Sequence, residues 1–167
     1  MAFGRYGSIK TLFNGGAIVI AIVVVLIAAR TVPARGAETR ARDMVVLAFG
    51  DSLTAGYGLA AAESFPVRLE VMLRSKGHAV RVINAGVSGD TTAGGLARID
   101  WLLVEKPDLV ILELGANDGL RGVNPAWTKM NLDRIYKRII ATGARVLLTG
   151  MRASPSMGVD YETAFNA

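Results

Sequence analysis

From Met44 onward, short apolar runs alternate with amphipathic stretches, and this alternation constrains the fold more than any other feature of the chain. The runs at 44–49, 79–84, 108–114 and 145–149 are rich in Val, Ile and Leu and too short to be buried helices, so they read as strands. Between them lie helical stretches. The first covers 64–76, with Ser64 placed to cap it, Pro66 in its first turn and Gly77 as its stop; Phe65, Leu69, Met72 and Leu73 share a face. The second covers 92–105, with Leu96, Ile99 and Leu103 on one face. The third opens at Asn124-Pro125, presents Leu132, Ile135, Tyr136 and Ile139 together, and ends at Gly143. Strands and helices in this rhythm build βαβ units, hence a parallel sheet in the α/β class. The run 108–114 is apolar on both sides, as a central parallel strand should be.

The residues before Met44 follow a different rule. Arg5 and Lys10 precede a stretch, 11–29, without a charge, and Arg30, Pro33, Arg35 and Gly36 follow it. A basic start, an apolar run and a small-residue exit describe an export signal, with Ala34-Arg35-Gly36 as a passable cleavage site. The run also approaches the ~20 residues that span a bilayer, so an uncleaved anchor fits as well. Residues 1–29 are therefore expected to be a signal sequence or transmembrane anchor, 30–43 a polar linker, and 44–167 the α/β domain. The expected location is the cell envelope, either membrane-anchored or periplasmic or secreted, with membrane contact through the N-terminal segment.

The chain's chemistry is narrowed by what it lacks. It has no cysteine, so disulfides, thiolate metal sites and a Cys nucleophile are excluded. Its single histidine, His78, rules out a multi-His metal site. The net charge of +5 owes much to Arg30, Arg35, Arg40 and Arg42, and no basic patch interleaved with aromatics points to nucleic acid. No cofactor or metal is expected.

Three loops leave the C-terminal tips of the first three strands: Gly50-Asp51-Ser52-Leu53, residues 84–92, and Gly115-Ala116-Asn117-Asp118-Gly119. In an open parallel sheet these tips converge on one crevice. Acyl transfer needs a hydroxyl nucleophile, donors aimed at the developing oxyanion, and a base. Ser52 offers the hydroxyl and its own N–H. Gly89 offers an N–H that substrate can approach closely because there is no Cβ. Asn117 offers a neutral side-chain amide. Asp51, Asp90 and Asp118 read as acceptors for loop N–H groups. Ser88 reads as structural, Trp101 and Trp127 as packing or rim residues, Arg121 as a loop charge that can shape the crevice, and 152–159 as a loop that can wall an acyl site. Other motifs fail. Gly56-Tyr57-Gly58-Leu59-Ala60-Ala61 starts too far beyond its strand for a dinucleotide fingerprint, Gly89–Gly94 lacks the Lys-Ser/Thr of a P-loop, and Thr54 stands where a Gly-x-Ser-x-Gly elbow ends in glycine.

Gly50-Asp51-Ser52-Leu53, Gly89 in Val87-Ser88-Gly89-Asp90-Thr91, and Gly115-Ala116-Asn117-Asp118 resemble the first three blocks of the SGNH, or GDSL, hydrolases. The stretch from Leu112 to Gly122 is particularly similar to the thioesterase I, arylesterase and lysophospholipase branch. The resemblance implies a flavodoxin-like three-layer α/β/α sandwich. It implies a serine ester hydrolase acting without a metal on a small acyl ester, thioester or lysophospholipid. It also implies Ser52 as nucleophile, with Ser52, Gly89 and Asn117 forming the oxyanion hole. The family's fourth block, an Asp-x-x-His supplying the base and its orienting acid, has no counterpart here. His78 precedes the second strand, at the pole of the sheet opposite Ser52, where it is out of a base's reach. The domain is therefore expected to be incomplete: 160–167 opens a helix, with Tyr161 and Phe165 on one face, and the last strand and helices of the fold are missing. The alternative is a catalytically inactive envelope protein that retains a ligand crevice.

Overall fold

The computed structural model describes residues 42–167. The expected signal or anchor, and the linker as far as residue 41, lie outside the described residues. The last two linker residues are tied to the domain: Arg42 pairs with Asp108 and Asp43 with Arg74.

Four parallel strands form one sheet: β1 (Met44–Gly50), β2 (Val80–Gly86), β3 (Leu109–Glu113) and β4 (Arg145–Leu148). Their order is β2-β1-β3-β4. The chain leaves β1 toward one side for β2 and returns to the other side for β3, so the winding reverses between β1 and β3. Open α/β sheets bind ligands at such a reversal, beyond the C-terminal strand ends. Gly50 is in register with Gly86 on one side and Glu113 on the other, which brings the three tips to one level.

Side chains alternate across the strands and feed two cores. Leu47, Phe49, Val110 and Leu112 pack with Ile99 of α3 (Thr92–Leu103) and with Ile135 and Ile139 of α5 (Pro125–Ala141). On the other face Val46, Val80 and Ile111 meet Leu69 and Leu73 of α2 (Phe65–Ser75). Fully burying side chains of this size is worth roughly 1.5–3 kcal/mol each. Both clusters can be read from the periodicity, with three differences. Phe65, Met72 and Tyr136 are exposed, because each sits at the margin of its helical stripe. Ser64 does not cap α2 through its side chain; its hydroxyl donates instead to the Ala61 carbonyl, closing the 3₁₀ turn Ala61–Glu63. β2 runs on to Gly86, because Ala85 is buried and the pairing with β1 continues to its end. Asn124 does cap α5, accepting from Ala126 N–H at 2.9 Å.

Two short helices carry the tips of the first and third strands: α1 (Ser52–Ala55) and α4 (Ala116–Leu120). The final helix, α6 (Val159–Asn166), stacks Tyr161 on Phe165 at 5.9 Å and donates the Tyr161 hydroxyl to the Val123 carbonyl at 2.7 Å. β4 is an edge strand, with Leu147 and Leu148 exposed. Among the described residues no helix is long and apolar enough to cross a membrane.

Candidate active site

Ser52 sits half-buried at the first position of α1, directly beyond the tip of β1. Asp51 caps that helix: its Oδ1 accepts the Leu53 N–H at 3.0 Å. A helix leaves its first N–H groups without intrahelical acceptors, so the Ser52 amide is available while Leu53's is taken. The turn is pressed hard onto the sheet. A Cβ on Gly50 would collide with Thr54 Oγ1 and Glu113 Oε2, so only glycine fits beneath the turn.

Gly89 occupies the tip of the second loop with φ +81°, a conformation that favours glycine. Asp90 N–H closes the turn onto the Val87 carbonyl at 3.0 Å, leaving the Gly89 amide out of the turn's own bond. Arg121 reaches across from the end of α4 and donates to the Gly89 carbonyl at 2.9 Å, which anchors this loop to the third.

Asn117, on α4, joins all three loops. Its Nδ2 donates to Asp51 Oδ2 at 3.0 Å and to the Asp90 carbonyl at 2.9 Å. Two oxygen acceptors fix which end of the amide is nitrogen, since the reverse orientation would set oxygen against oxygen. Both hydrogens of the amide are thereby engaged. Any further acceptor must share or displace one of them, and the bond to Asp51 is the one nearer Ser52 in sequence.

Below these groups lies a charged scaffold that sequence reasoning missed. Arg98 of α3 donates to Asp90 Oδ2 at 2.8 Å, to the Ala85 carbonyl at 2.9 Å and to the Gly50 carbonyl at 3.0 Å, and its guanidinium lies 4.5 Å from the Phe49 ring centroid. One side chain thus holds the ends of β1 and β2 and the residue whose carbonyl receives Asn117. Asp118 is buried and accepts both the N–H (2.8 Å) and the hydroxyl (2.6 Å) of Thr92, fastening α4 to the start of α3. The sequence signal for Arg98 was weak, an arginine in a helix otherwise apolar on that side. Asp51, Asp90 and Asp118 all serve as loop acceptors, and each also receives a side-chain donor. Trp101 and Trp127 are exposed and line neither core.

Ser52 Oγ has no side-chain hydrogen bond among the described residues. His78 is exposed, just before β2, and its N–H goes to the Leu73 carbonyl. Seven strand residues at ~3.3 Å each put it on the order of 20 Å from the tip that carries Ser52. Among the described residues no group of three His, Cys, Asp or Glu side chains is placed to hold a metal ion. An apolar cavity of about 410 Å³ lies between β3, β4, α5 and α6, lined by Leu112, Leu114, Tyr136, Leu148 and Phe165; Ser52, Gly89 and Asn117 do not line it. The segment 152–159 packs on the loop after α4 through Met157, which lies close to Gly122.

Residues 48–167 match the model of the GDSL-like lipase/acylhydrolase family. The chain is 44% identical over 128 residues to the esterase TesA of Pseudomonas aeruginosa, an alignment covering 76% of this chain and 64% of that protein. It is 42% identical to thioesterase 1/protease 1/lysophospholipase L1 of Escherichia coli, over 73% of this chain and 58% of that protein. It superposes on the crystal structure of AlinE4, described as an SGNH-hydrolase family esterase, with a TM-score of 0.71 and 52% identity, covering 74% of this chain and 67% of that one. The chain spans about three fifths of the length of these curated relatives.

Proposed function

The chain belongs to the GDSL-like lipase/acylhydrolase family, and on that premise we propose that it is a serine ester hydrolase of the esterase, thioesterase and lysophospholipase kind. Ser52 is the nucleophile. The N–H groups of Ser52 and Gly89 and the amide of Asn117 are the oxyanion donors. The observation that carries this reading is the convergence of the three loops: Asn117 bonds at once to Asp90 of the second loop and to Asp51, the residue before Ser52 in the first. In the reaction Ser52 Oγ attacks the acyl carbonyl, its proton passes through water to the departing alcohol or thiol, and a second water then releases the acid from the acyl-serine and restores the hydroxyl. Substrates are small acyl esters, thioesters or lysophospholipids. Aligned donors of this kind are worth about 10²–10³ in rate each.

One observation favours a slower catalyst within residues 1–167. The sole histidine faces the opposite pole, and no described side chain takes the Ser52 proton. A missing general base costs roughly 10²–10⁴-fold. A protein of these 167 residues is accordingly proposed to turn esters over weakly. The second reading, an inactive envelope protein that retains a ligand crevice, has this same support. The envelope location rests on the uncharged run 11–29 behind a basic start, and fractionation of cells expressing the full chain tests it. For activity, the discriminating assay is hydrolysis of a short-chain aryl ester by wild type and Ser52→Ala. Turnover above the Ser52→Ala level supports the hydrolase; identical rates favour the inactive protein.

A further inference from the structure

We propose that Glu113 is a positioning residue for Ser52: an uncharged carboxylic acid buried beneath the nucleophile turn, setting that turn through Asp51 and Thr54. The proposal rests on the reading of Ser52 as nucleophile.

Glu113 is the last residue of β3, in register with Gly50, and its residue surface is 7% exposed. Its Oε2 accepts the Thr54 hydroxyl at 2.7 Å and the Asp51 N–H at 3.2 Å. These two groups flank Ser52 on either side, so one carboxyl oxygen fixes the turn at both ends. Oε1 is buried with no hydrogen-bond partner among the described residues. Gly50 carries no side chain where one would strike Oε2 and Thr54 Oγ1. The carboxyl therefore fills the space that the glycine leaves.

No described cation neutralises it. Arg98 reaches the Gly50 carbonyl but stacks on Phe49, which shares a core with Leu112; Glu113 alternates with Leu112 and so points to the other face. On that face Glu70 of α2 accepts the Val82 N–H, and Arg74 donates to the Val80 carbonyl and pairs with Asp43, all toward the opposite end of β2. Glu63 closes on the Ala60 N–H. The titratable group that faces Glu113 is Asp51, another acid. A buried carboxylate without a partner charge is costly, and the proton is the cheapest remedy. Burial, and then the charge of Asp51, push the Glu113 pKa above its ordinary value, against the pull of the Thr54 hydroxyl. Ionisation would add a second negative charge beneath the turn where the acyl oxyanion forms, beside that of Asp51.

The test uses the full chain labelled with ¹³C and ¹⁵N. The Glu113 carboxyl carbon is followed with pH and assigned by its loss in Glu113→Gln. We expect a midpoint above the ordinary glutamate range, with the Asp51 amide proton shifting in the same transition, and no such Asp51 shift in Glu113→Gln. In parallel, the rate of Ser52 labelling by a fluorophosphonate is measured against pH. Glu113→Gln, which keeps the acceptor and carries no charge, should label like wild type at low pH and escape the wild type's loss as Glu113 ionises. Glu113→Ala should label about tenfold more slowly, the scale of losing an outer hydrogen-bond partner. A Glu113 midpoint within the ordinary range, or a folded Glu113→Ala labelling at the wild-type rate, would overturn the proposal. Should Glu113→Ala not fold, the glutamine variant and the titration decide. Absence of labelling in wild type at every pH would overturn the esterase reading alone. The titration and the Asp51 amide would then still show whether Glu113 is an uncharged acid holding the turn.

Discussion

Replacing Arg98 by methionine removes a side chain that touches the ends of β1 and β2 and the carboxylate of Asp90 together. Methionine keeps the unbranched stem, so the loss is chiefly that of the guanidinium. The Arg98 side chain is 24% exposed and that of Asp90 only 9%, so the pair is closer to a buried bridge than to a surface one. Removing one partner of such a bridge leaves an uncompensated charge and costs about 3–5 kcal/mol. The two carbonyls add ~1 kcal/mol each if left dry, but water can reach a site this exposed, so the lower half of the range is the better figure. A domain the size of Arg42–Ala167 loses about 4 °C of melting temperature per kcal/mol, which makes the expected drop roughly 12–16 °C. The double variant Arg98→Met, Asp90→Asn removes the orphaned charge and should regain more than half of that loss. Thermal unfolding by circular dichroism reads both. A single variant within about 3 °C of wild type, or a double variant no better than the single, would refute the clamp, because either result means Asp90 was never paying for burial.

Three further outcomes follow from the same structure. Gly50→Ala forces a methyl into Thr54 Oγ1 and Glu113 Oε2 and should cost about 2–4 kcal/mol, seen as a lowered urea midpoint with m unchanged. Glu113 gives a pH dependence of defined sign: the folded state holds this proton more tightly than the unfolded chain, so its stability contribution is full below the unfolded pKa and is lost as pH rises through the raised folded one. The urea midpoint should fall over that window in wild type and stay flatter in Glu113→Gln. Leu148→Lys places a charge on the exposed edge strand and should reduce self-association in sedimentation velocity, with little change in melting temperature.

The long elements were legible because each carries a period. Val45–Phe49 and Leu109–Leu112 are apolar at successive positions, and Ile135 and Ile139 recur at helical spacing, so both cores could be assembled from sequence. The helices α1 and α4 were not, since four or five residues hold no period; α1 lies tight on the strand tips because Gly50 and Gly86 carry no Cβ. Ser52, Gly89 and Asn117 were found as strand-tip residues, and the structure brings their loops together through hydrogen bonds of Asn117. What sequence did not disclose was how completely that amide is engaged, because donor counting needs coordinates. Glu113 was hidden inside an apolar run. A lone acid at the end of a buried strand was the signal, and its meaning appeared only once Gly50 was seen opposite it. Phe65, Met72 and Tyr136 sat at stripe margins, where a helical wheel does not separate buried from exposed.

The central claim is that Ser52 is a nucleophile served by donors from three loops, and covalent labelling tests it most directly. The full chain is treated with a fluorophosphonate and analysed by intact mass and peptide mapping. The account predicts one phosphonyl adduct per chain on Ser52, none in Ser52→Ala, and formation slowed about 10²-fold in Asn117→Ala. No adduct on the wild type, or an adduct that persists in Ser52→Ala, would contradict it.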